Sequence, residues 1–256
     1  MSVAIEFRDL CFATPQGRLL LDSISLSVEE GTTVAILGRS GSGKTTLLRA
    51  VNRMVLPTSG EILIHGRAIK DFDLITLRRN MGYAIQETGL FPHFTVERNV
   101  ALVLEAEGRS RRDCARRSHE LLEVVGLNPA DFAKRFPHQL SGGQRQRVGL
   151  ARALAAEPEF LLMDEPFGAL DPLTRTEMQD MLHGLLSHLK KTVLMVTHDL
   201  DEALYLADRI ILLSEGRILA YLEPKEFLAS RDPLIEAYVR AFHRGWRDAA
   251  ALERSA

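Results

Sequence analysis

Residues 33–46 read TVAILGRSGSGKTT, an apolar run that leads into a glycine-rich loop, a lysine and two threonines. The stretch matches G-x-x-x-x-G-K-S/T and lies between a predicted strand and a predicted helix. Gly38, Gly41 and Gly43 would let several backbone N–H groups converge on a polyphosphate. The helix that begins near Gly43 adds further N–H groups and the positive end of its dipole. We therefore predict a phosphate-binding loop here.

The residue types of this loop also predict individual contacts. Lys44 is expected to reach the β- and γ-phosphates, and the Thr45 hydroxyl to ligate Mg²⁺. The alternative is a glycine-rich turn with an incidental lysine, which the coincidence of motif, threonines and flanks disfavours. The predicted nucleotide contacts of the loop are Gly38, Arg39, Ser40, Gly41, Ser42, Gly43, Lys44, Thr45 and Thr46.

Composition restricts the class of protein. The 256 residues are 46% hydrophobic and 26% charged, which is typical of a globular chain. The net charge of −2 predicts no attraction to nucleic acid or to a membrane. The start, MSVAIEFRDL, does not resemble a signal peptide, and no apolar run is long enough to span a bilayer. Two cysteines without a metal-ligand spacing fit a reducing compartment, so we expect the cytosol.

Strand and helix patterns alternate along most of the chain. Two alternating stretches at 3–12 and 18–28 predict an amino-terminal hairpin. Leucine-rich segments at helical spacing replace strand patterns from about 95 to 157, which predicts a helical insertion. Further strands are predicted at 33–37, 61–65, 81–85, 160–163, 192–197, 209–213 and 217–221, and further helices at 44–54, 74–79, 172–189, 199–207, 225–229 and 233–242.

Four predicted core strands end directly at a chemically apt group. In open α/β sheets, ligands bind at the carboxyl ends of the strands. One strand leads into the phosphate-binding loop, and the others lead into Gln86, into Asp164 with Glu165, and into His198. Asp164 is expected to hold Mg²⁺, and Glu165 to polarise the attacking water. His198 would donate a hydrogen bond to the γ-phosphate. Gln86 would complete the set of Mg²⁺ ligands or orient the attacking water.

A second glycine-lined helix start occurs at Leu140-Ser141-Gly142-Gly143-Gln144. Ser141 and Gln144 have the spacing of a capping box, which would explain them structurally. Two consecutive glycines are nevertheless poor helix formers, and a bare helix N-terminus suits a phosphate. This second glycine-lined helix start therefore suits a second phosphate contact.

The chain resembles an ATP-binding cassette over about residues 3–242. The resemblance lies in GRSGSGKT (38–45, Walker A), Gln86 (Q-loop), LSGGQ (140–144, signature), FLLMDE (160–165, Walker B), GALD (168–171, D-loop) and His198 (switch histidine). It implies an α/β fold of the P-loop NTPase class, with a mixed core sheet, an amino-terminal antiparallel β layer and an inserted helical subdomain. The implied domain covers 1–242, with a RecA-like core at 1–86 and 158–222, a helical subdomain at about 87–157 and a polar tail at 243–256.

The resemblance also implies partners. Ser141 to Gln144 of one subunit would close over ATP held by a second copy of the chain. Membrane permease subunits would dock near Gln86, and a solute-binding protein would act indirectly, which places the protein on the inner face of the cell membrane. The family stacks an aromatic residue on adenine near position 14, where this chain has Thr14, and Phe12 on the same strand face is the nearest substitute.

Residues 77–99 and 134–155 look most like ATPases that import quaternary amines and related osmoprotectants. Those ATPases often carry a carboxy-terminal regulatory domain, for which this chain is expected to be too short. Other solutes remain as alternatives: amino acids, polyamines, anions or lipids. A cassette ATPase acting on DNA or ribosomes, and a scaffold that binds nucleotide without turnover, are two rival classes. The absence of a basic face from the sequence argues against action on DNA or ribosomes. The intact site residues argue against a scaffold without turnover.

Overall fold

The computed structural model describes residues 2–85, 89–168 and 170–242. The strands are β1 (Val3–Ala13), β2 (Leu19–Glu29), β3 (Thr33–Leu37), β4 (Ser59–Ile64), β5 (Arg67–Ala68), β6 (Met81–Ala84), β7 (Phe160–Asp164), β8 (Thr192–Val196), β9 (Arg209–Ser214) and β10 (Arg217–Leu222). The helices are α1 (Lys44–Val51), α2 (Leu74–Arg79), α3 (Val96–Ala106), α4 (Arg111–Val124), α5 (Pro129–Phe132), α6 (Gly142–Leu154), α7 (Pro172–Leu189), α8 (Leu200–Leu206), α9 (Pro224–Ala229) and α10 (233–242). The predicted alternation is confirmed.

The larger sheet has the strand order β10-β9-β3-β8-β7-β6. Its strands run parallel except β10, which is antiparallel to β9. β3, β7 and β8 are buried at every residue, as expected for apolar parallel strands covered on both faces. Because the parallel strands share one direction, their carboxyl ends lie at one edge. The phosphate-binding loop, Asp164 and His198 therefore follow neighbouring strands.

The smaller sheet is antiparallel, in the order β2-β1-β4-β5. Phe7 of β1 pairs with Leu26 of β2 on one side and with Ile62 of β4 on the other. Phe7 belongs to the same hydrophobic cluster as Ile36 of β3 and Leu47 of α1. The amino-terminal layer thus shares a core with the large sheet through α1, which confirms the predicted antiparallel layer.

Helices α3 to α6 follow one another between β6 and β7. Leu104, Leu122 and Val148 are fully buried in a hydrophobic cluster that also contains Met163 of β7. The inserted helices and the core sheet therefore share one continuous core. Their division into subdomains at 86/87 and 157/158 stays a prediction, and residues 86–88 lie outside the described part of the chain.

Two predicted details are wrong. α1 ends at Val51 rather than near Met54, because Arg53 adopts a left-handed φ of 54° and cannot continue the helix. Thr14 does not share a strand face with Phe12, since β1 ends at Ala13 and Thr14 closes a turn by donating its N–H to the Arg18 carbonyl at 2.8 Å. Within the described residues, no helix combines the length and the hydropathy needed to cross a membrane.

Candidate active site

The loop between β3 and α1 is held in place by close contact with two other strands. A Cβ on Gly38 would lie 2.2 Å from the carbonyl oxygen of Leu213 in β9. Gly43 has a φ of 105°, and a Cβ there would lie 2.4 Å from the carbonyl oxygen of Leu20 in β2. Backbone atoms cannot give way to a side chain, so both positions require glycine. The close contacts with β9 and β2 therefore restrict both ends of the loop to glycine.

A cleft of about 410 Å³ opens beside this loop. Its size falls within the range of small-molecule sites. The residues that line it come from the loop and the start of α1, from β2, and from the ends of β7 and β8: Leu20, Ser40, Gly41, Gly43, Lys44, Thr45, Thr46, Glu165 and His198. The cleft therefore brings together residues predicted from three separate parts of the sequence.

Lys44 is 6% exposed, and its ammonium group lies under the loop. Its Nζ donates hydrogen bonds to the carbonyl oxygens of Gly38 at 2.8 Å and Arg39 at 3.0 Å. Burial lowers the pKa of Lys44, while the nearby carboxylates of Glu165 and Asp164 oppose that shift. A buried cation at the start of a helix is favourable for a polyanion entering the cleft.

Asp164 is buried at the end of β7 and connects to α1. The Thr45 hydroxyl donates a hydrogen bond to Oδ1 of Asp164 at 2.9 Å. The hydroxyl of Tyr83 lies 3.4 Å from Oδ2, and Nη2 of Arg49 lies 3.6 Å from the same atom. The two carboxylate oxygens therefore have different surroundings, one a threonine hydroxyl and the other a phenol with a guanidinium.

Glu165 follows Asp164 in an unusual backbone conformation. Its φ is 48°, and its N–H donates to the carbonyl oxygen of Val196 at 2.9 Å. A left-handed non-glycine residue of this kind costs about 1–3 kcal/mol and is common at functional sites. Oε2 of Glu165 lies 3.3 Å from Nδ1 of His198, which follows β8. The strained residue thus directs its carboxylate to the histidine at the mouth of the cleft.

The helix start at Ser141 is built as a capping box, which was the structural alternative to a ligand contact in the sequence. Ser141 Oγ accepts from the N–H of Gln144 at 3.2 Å, and Gln144 Oε1 accepts from the N–H of Ser141 at 2.9 Å. A Cβ on Gly143 would lie 2.3 Å from Cγ2 of Thr174 on α7. The close packing of α6 on α7 therefore accounts for one of the two glycines that sequence reasoning attributed to a ligand.

The signature segment 141–144 does not line the cleft beside the loop, as far as the described residues show. Ser141 is exposed and Gly142 is partly exposed, whereas Gly143 is buried. The two glycine-containing sites of one chain are thus separate surfaces.

The sequence profile of the ABC transporter family matches residues 21–168, a stretch that contains the loop, the signature segment and the end of β7. The chain belongs to the ABC transporter family. It has the ATPase domain of that family. The family's motifs lie at the strand ends described above.

Two relatives of this ABC protein show its similarity to transport ATPases. The osmoprotectant import ATP-binding protein OsmV of Salmonella typhimurium is 48% identical over 209 residues, 82% of this chain and 55% of that protein. The choline transport ATP-binding protein OpuBA of Bacillus subtilis is 43% identical over 224 residues, 87% of this chain and 58% of that protein. The chain therefore spans little more than half the length of these relatives.

A solved structure gives the same fold. It is a dimeric ATP-binding cassette in a post-hydrolysis state, bound to ADP and Pi, with a TM-score of 0.78 and 34% identity. The alignment covers 86% of this chain and 98% of that one. The α/β architecture and the family resemblance predicted from the sequence are confirmed.

The remaining predicted site residues of the ABC protein occupy defined positions. Ser40 and Thr46 line the cleft, and the carbonyl of Arg39 accepts from Lys44. Ser42 Oγ is buried without a hydrogen-bond partner among the described residues. Gln86 lies outside the described residues, so its predicted roles stay predictions.

Sequence reasoning missed Arg49 and Tyr83, the two residues that contact Oδ2 of Asp164. Arg49 follows Thr45 by four residues on α1, so helical spacing places both on one face. That spacing was a readable signal for Arg49. Tyr83 gives no comparable signal, because its position depends on β6 pairing with β7.

Proposed function

We propose that the protein binds ATP with Mg²⁺ and hydrolyses it. The single observation that carries this proposal is the cleft lined by Lys44, Thr45 and the Glu165–His198 pair at the ends of adjacent parallel strands. Asp164 lies beneath this lining and accepts the hydrogen bond of Thr45. The ADP and Pi bound to the similar cassette support ATP as the ligand.

Residues 38–46 would hold the triphosphate. The N–H groups at the start of α1 and the loop would surround the β- and γ-phosphates, and Lys44 would leave the Gly38 and Arg39 carbonyls to bond them. The unpaired Ser42 hydroxyl would gain a partner there. Burial suits this role, because it strengthens the attraction between the ammonium group and the phosphates.

The donor set at the end of β7 fits Mg²⁺. Thr45 Oγ1 and Asp164 Oδ1 are hard oxygen ligands 2.9 Å apart, beside the loop that would hold the phosphates. We assign the metal to Thr45, Asp164 and Gln86, directly or through water. When bound, Mg²⁺ would neutralise negative charge on the β- and γ-phosphate oxygens. Arg49 and Tyr83 would hold the Asp164 carboxylate in place through its other oxygen.

Glu165 and His198 would act on the γ-phosphate side. Glu165 would orient and polarise the attacking water, and His198 would donate a hydrogen bond to the γ-phosphate. The 3.3 Å contact between them supports a site where both side chains face the γ-phosphate and its attacking water. Since positioning and electrostatics provide most of the catalysis in phosphoryl transfer, loss of Glu165 should slow hydrolysis far more than binding.

A second copy of the chain would complete each site. Ser141, Gly142, Gly143 and Gln144 of one copy would close over the ATP held by the other, which agrees with the exposure of Ser141 and its separation from the cleft of its own chain. The dimeric form of the similar cassette supports this arrangement. Closure would be a population shift driven by contacts with the γ-phosphate.

The work coupled to hydrolysis is proposed to be import of quaternary amines or related osmoprotectants. The names of the two relatives, an osmoprotectant importer and a choline transporter, support this class of solute. The protein would then lie on the inner face of the cell membrane. There it would dock on permease subunits through residues near Gln86 and respond indirectly to a solute-binding protein.

A Glu165→Gln variant tests ATP hydrolysis and the shared site together. We expect it to dimerise at saturating ATP, measured by sedimentation, while its kcat falls at least 100-fold. The same variant in ADP, and the native protein in ATP, serve as controls that should remain mainly monomeric. A variant that binds ATP and stays monomeric would overturn the proposal that two copies complete the site.

Reconstitution tests the transport proposal. The protein would be combined in proteoliposomes with a permease that co-purifies with it and the matching solute-binding protein. Glycine betaine or choline should stimulate ATP hydrolysis, while an amino acid or a polyamine should not. Stimulation by one of those other solutes alone would redirect the substrate assignment and leave the ATPase assignment intact.

A further inference from the structure

Behind His198 lies a pair of buried polar side chains that the proposed mechanism does not use. Thr197 is 1% exposed and Glu202 is 5% exposed. Thr197 immediately precedes His198, and Glu202 lies in the first turn of α8. Buried polar groups are costly unless hydrogen-bonded, so their partners indicate what they stabilise.

Two hydrogen bonds form a chain through the Thr197 hydroxyl, which accepts one and donates the other. The N–H of Asp199 donates to Thr197 Oγ1 at 3.0 Å, and Thr197 Oγ1 in turn donates to Oε2 of Glu202. The N–H of Thr197 donates to the carbonyl oxygen of Ile36 in β3 at 3.2 Å. The backbone is thus fixed on both sides of His198, although the imidazole itself is largely exposed.

Helix α7 reaches the same group of residues. Gln179 Nε2 donates to Oε1 of Glu202 at 3.4 Å, and Nη1 of Arg175 lies 3.6 Å from Oδ2 of Asp199. The segment 166–171 connects Glu165 to α7. The carboxyl of Glu202 therefore receives hydrogen bonds from the strand end that carries His198 and from the helix that follows Glu165.

We propose that Thr197 and Glu202 are positioning residues that hold the backbone of His198 so that its imidazole meets Glu165 and the phosphate side of the cleft. This inference rests on the proposed role of His198 in ATP hydrolysis. Glu202 accepts hydrogen bonds from both segments and so fixes the end of β8 relative to α7 at the site. Its removal would displace the histidine without removing any group that touches the nucleotide.

Paired substitutions of Thr197 in the full chain test this assignment. Thr197→Val removes the hydroxyl but keeps the branched shape, and Thr197→Ser keeps the hydroxyl. We expect T197V to lower kcat roughly tenfold, as small displacements of reacting groups do, with the Kd for ATP unchanged. T197S should stay within about twofold of the native rate, the change expected when the bond is retained.

The His198→Ala background shows whether T197V acts by positioning His198 or by a general loss of structure. If Thr197 acts through His198, T197V should cause no further loss in a protein that already lacks the histidine. An equal loss in both backgrounds, or no loss in the native background, overturns the inference. If H198A alone keeps the native rate, the proposed role of His198 fails instead, so the two failures are distinguishable.

A spectroscopic measurement requires neither nucleotide nor turnover. The Cε1–H signal of His198 in histidine-labelled protein is identified by its loss in H198A. It should shift in T197V and in Glu202→Ala, and remain near its native position in T197S and in Glu202→Gln, which keeps an oxygen acceptor for Thr197. An unchanged signal in T197V and E202A would mean that the pair only stabilises α8, and would overturn the inference.

Discussion

The Thr45 hydroxyl donates a hydrogen bond of 2.9 Å to Oδ1 of Asp164, a residue 119 positions further along the chain. The bond joins the first turn of α1 to the end of β7. Because Tyr83 and Arg49 approach the other carboxylate oxygen, the two oxygens of Asp164 have different neighbours. Under the proposed function, Oδ1 and the hydroxyl would hold Mg²⁺, and the contacts of Oδ2 would keep the side chain in place.

Thr45→Val and Thr45→Ser test the metal assignment. The valine keeps the side-chain shape and removes the hydroxyl, so we expect about tenfold weaker ATP binding in Mg²⁺, the size of one hydrogen bond to a charged group. The serine variant should stay within about threefold, since it keeps the hydroxyl. Calorimetric titration with and without EDTA provides the measurement. An equally large loss in EDTA would contradict a metal role for Thr45.

Gly143→Ala tests why the signature segment contains its second glycine. The added Cβ would lie 2.3 Å from Cγ2 of Thr174, so α6 and α7 must separate or the threonine must turn. We expect the free energy of unfolding to fall by about 1–3 kcal/mol, as in other overpacked cores. Urea unfolding measures it.

The double variant G143A/Thr174→Ser isolates the cause, because serine lacks the methyl group that clashes. It should recover most of the lost stability, with T174S alone as the control. If stability returns but ATP-driven dimerisation does not, Gly143 serves the nucleotide as well as helix packing. If G143A is as stable as the native protein, the packing explanation is wrong.

Much of the fold was readable from the sequence because its core strands are continuous apolar runs, each ending at a polar group. The runs before Gly38, Asp164 and His198 are buried at every residue of β3, β7 and β8. Parallel pairing then brings their ends together regardless of separation along the chain. The capping box at Ser141 is local, so its spacing was enough to indicate it as the structural alternative to a ligand contact.

The remainder depends on contacts between distant residues, which no local pattern encodes. Tyr83 reaches Asp164 only because β6 lies beside β7, and Gly143 is required only because Thr174 packs against it. Glu202 gives no signal either, since an acidic residue in a first helical turn is ordinarily an exposed partner of the helix dipole. Its burial follows from the way α7 and β8 cover it.

Gly38→Ala should be far more damaging than Gly66→Ala, although both glycines have positive φ. At Gly38 the new Cβ would lie 2.2 Å from the Leu213 carbonyl, whereas at Gly66 no described atom lies within 4 Å. We expect a loss above about 3 kcal/mol at Gly38 and about 1 kcal/mol at Gly66, where only backbone strain acts. Similar losses in urea unfolding would show that conformation, not crowding, explains Gly38.

The buried Glu202 should make stability depend on pH in a defined direction. Burial raises its pKa above the ordinary value of 4.5, and Asp199 adds to the shift, while the Thr197 hydroxyl and the charges of Arg175 and His198 oppose it. Between 4.5 and the folded-state pKa, the folded chain keeps a proton that the unfolded chain has lost. The free energy of unfolding therefore falls as pH rises through that window.

Glu202→Gln cannot titrate, so the difference in unfolding free energy between this variant and the native protein isolates the carboxyl group. The variant should gain relative stability as pH rises from 4.5, and the gain should level off once the folded carboxyl has ionised. Urea unfolding in half-unit steps from pH 4.5 to 8 measures the curve. Titrating groups distant from position 202 cancel in the difference. A relative stability that declines with pH would mean that the fold lowers this pKa, and that Glu202 is held as a stabilised anion.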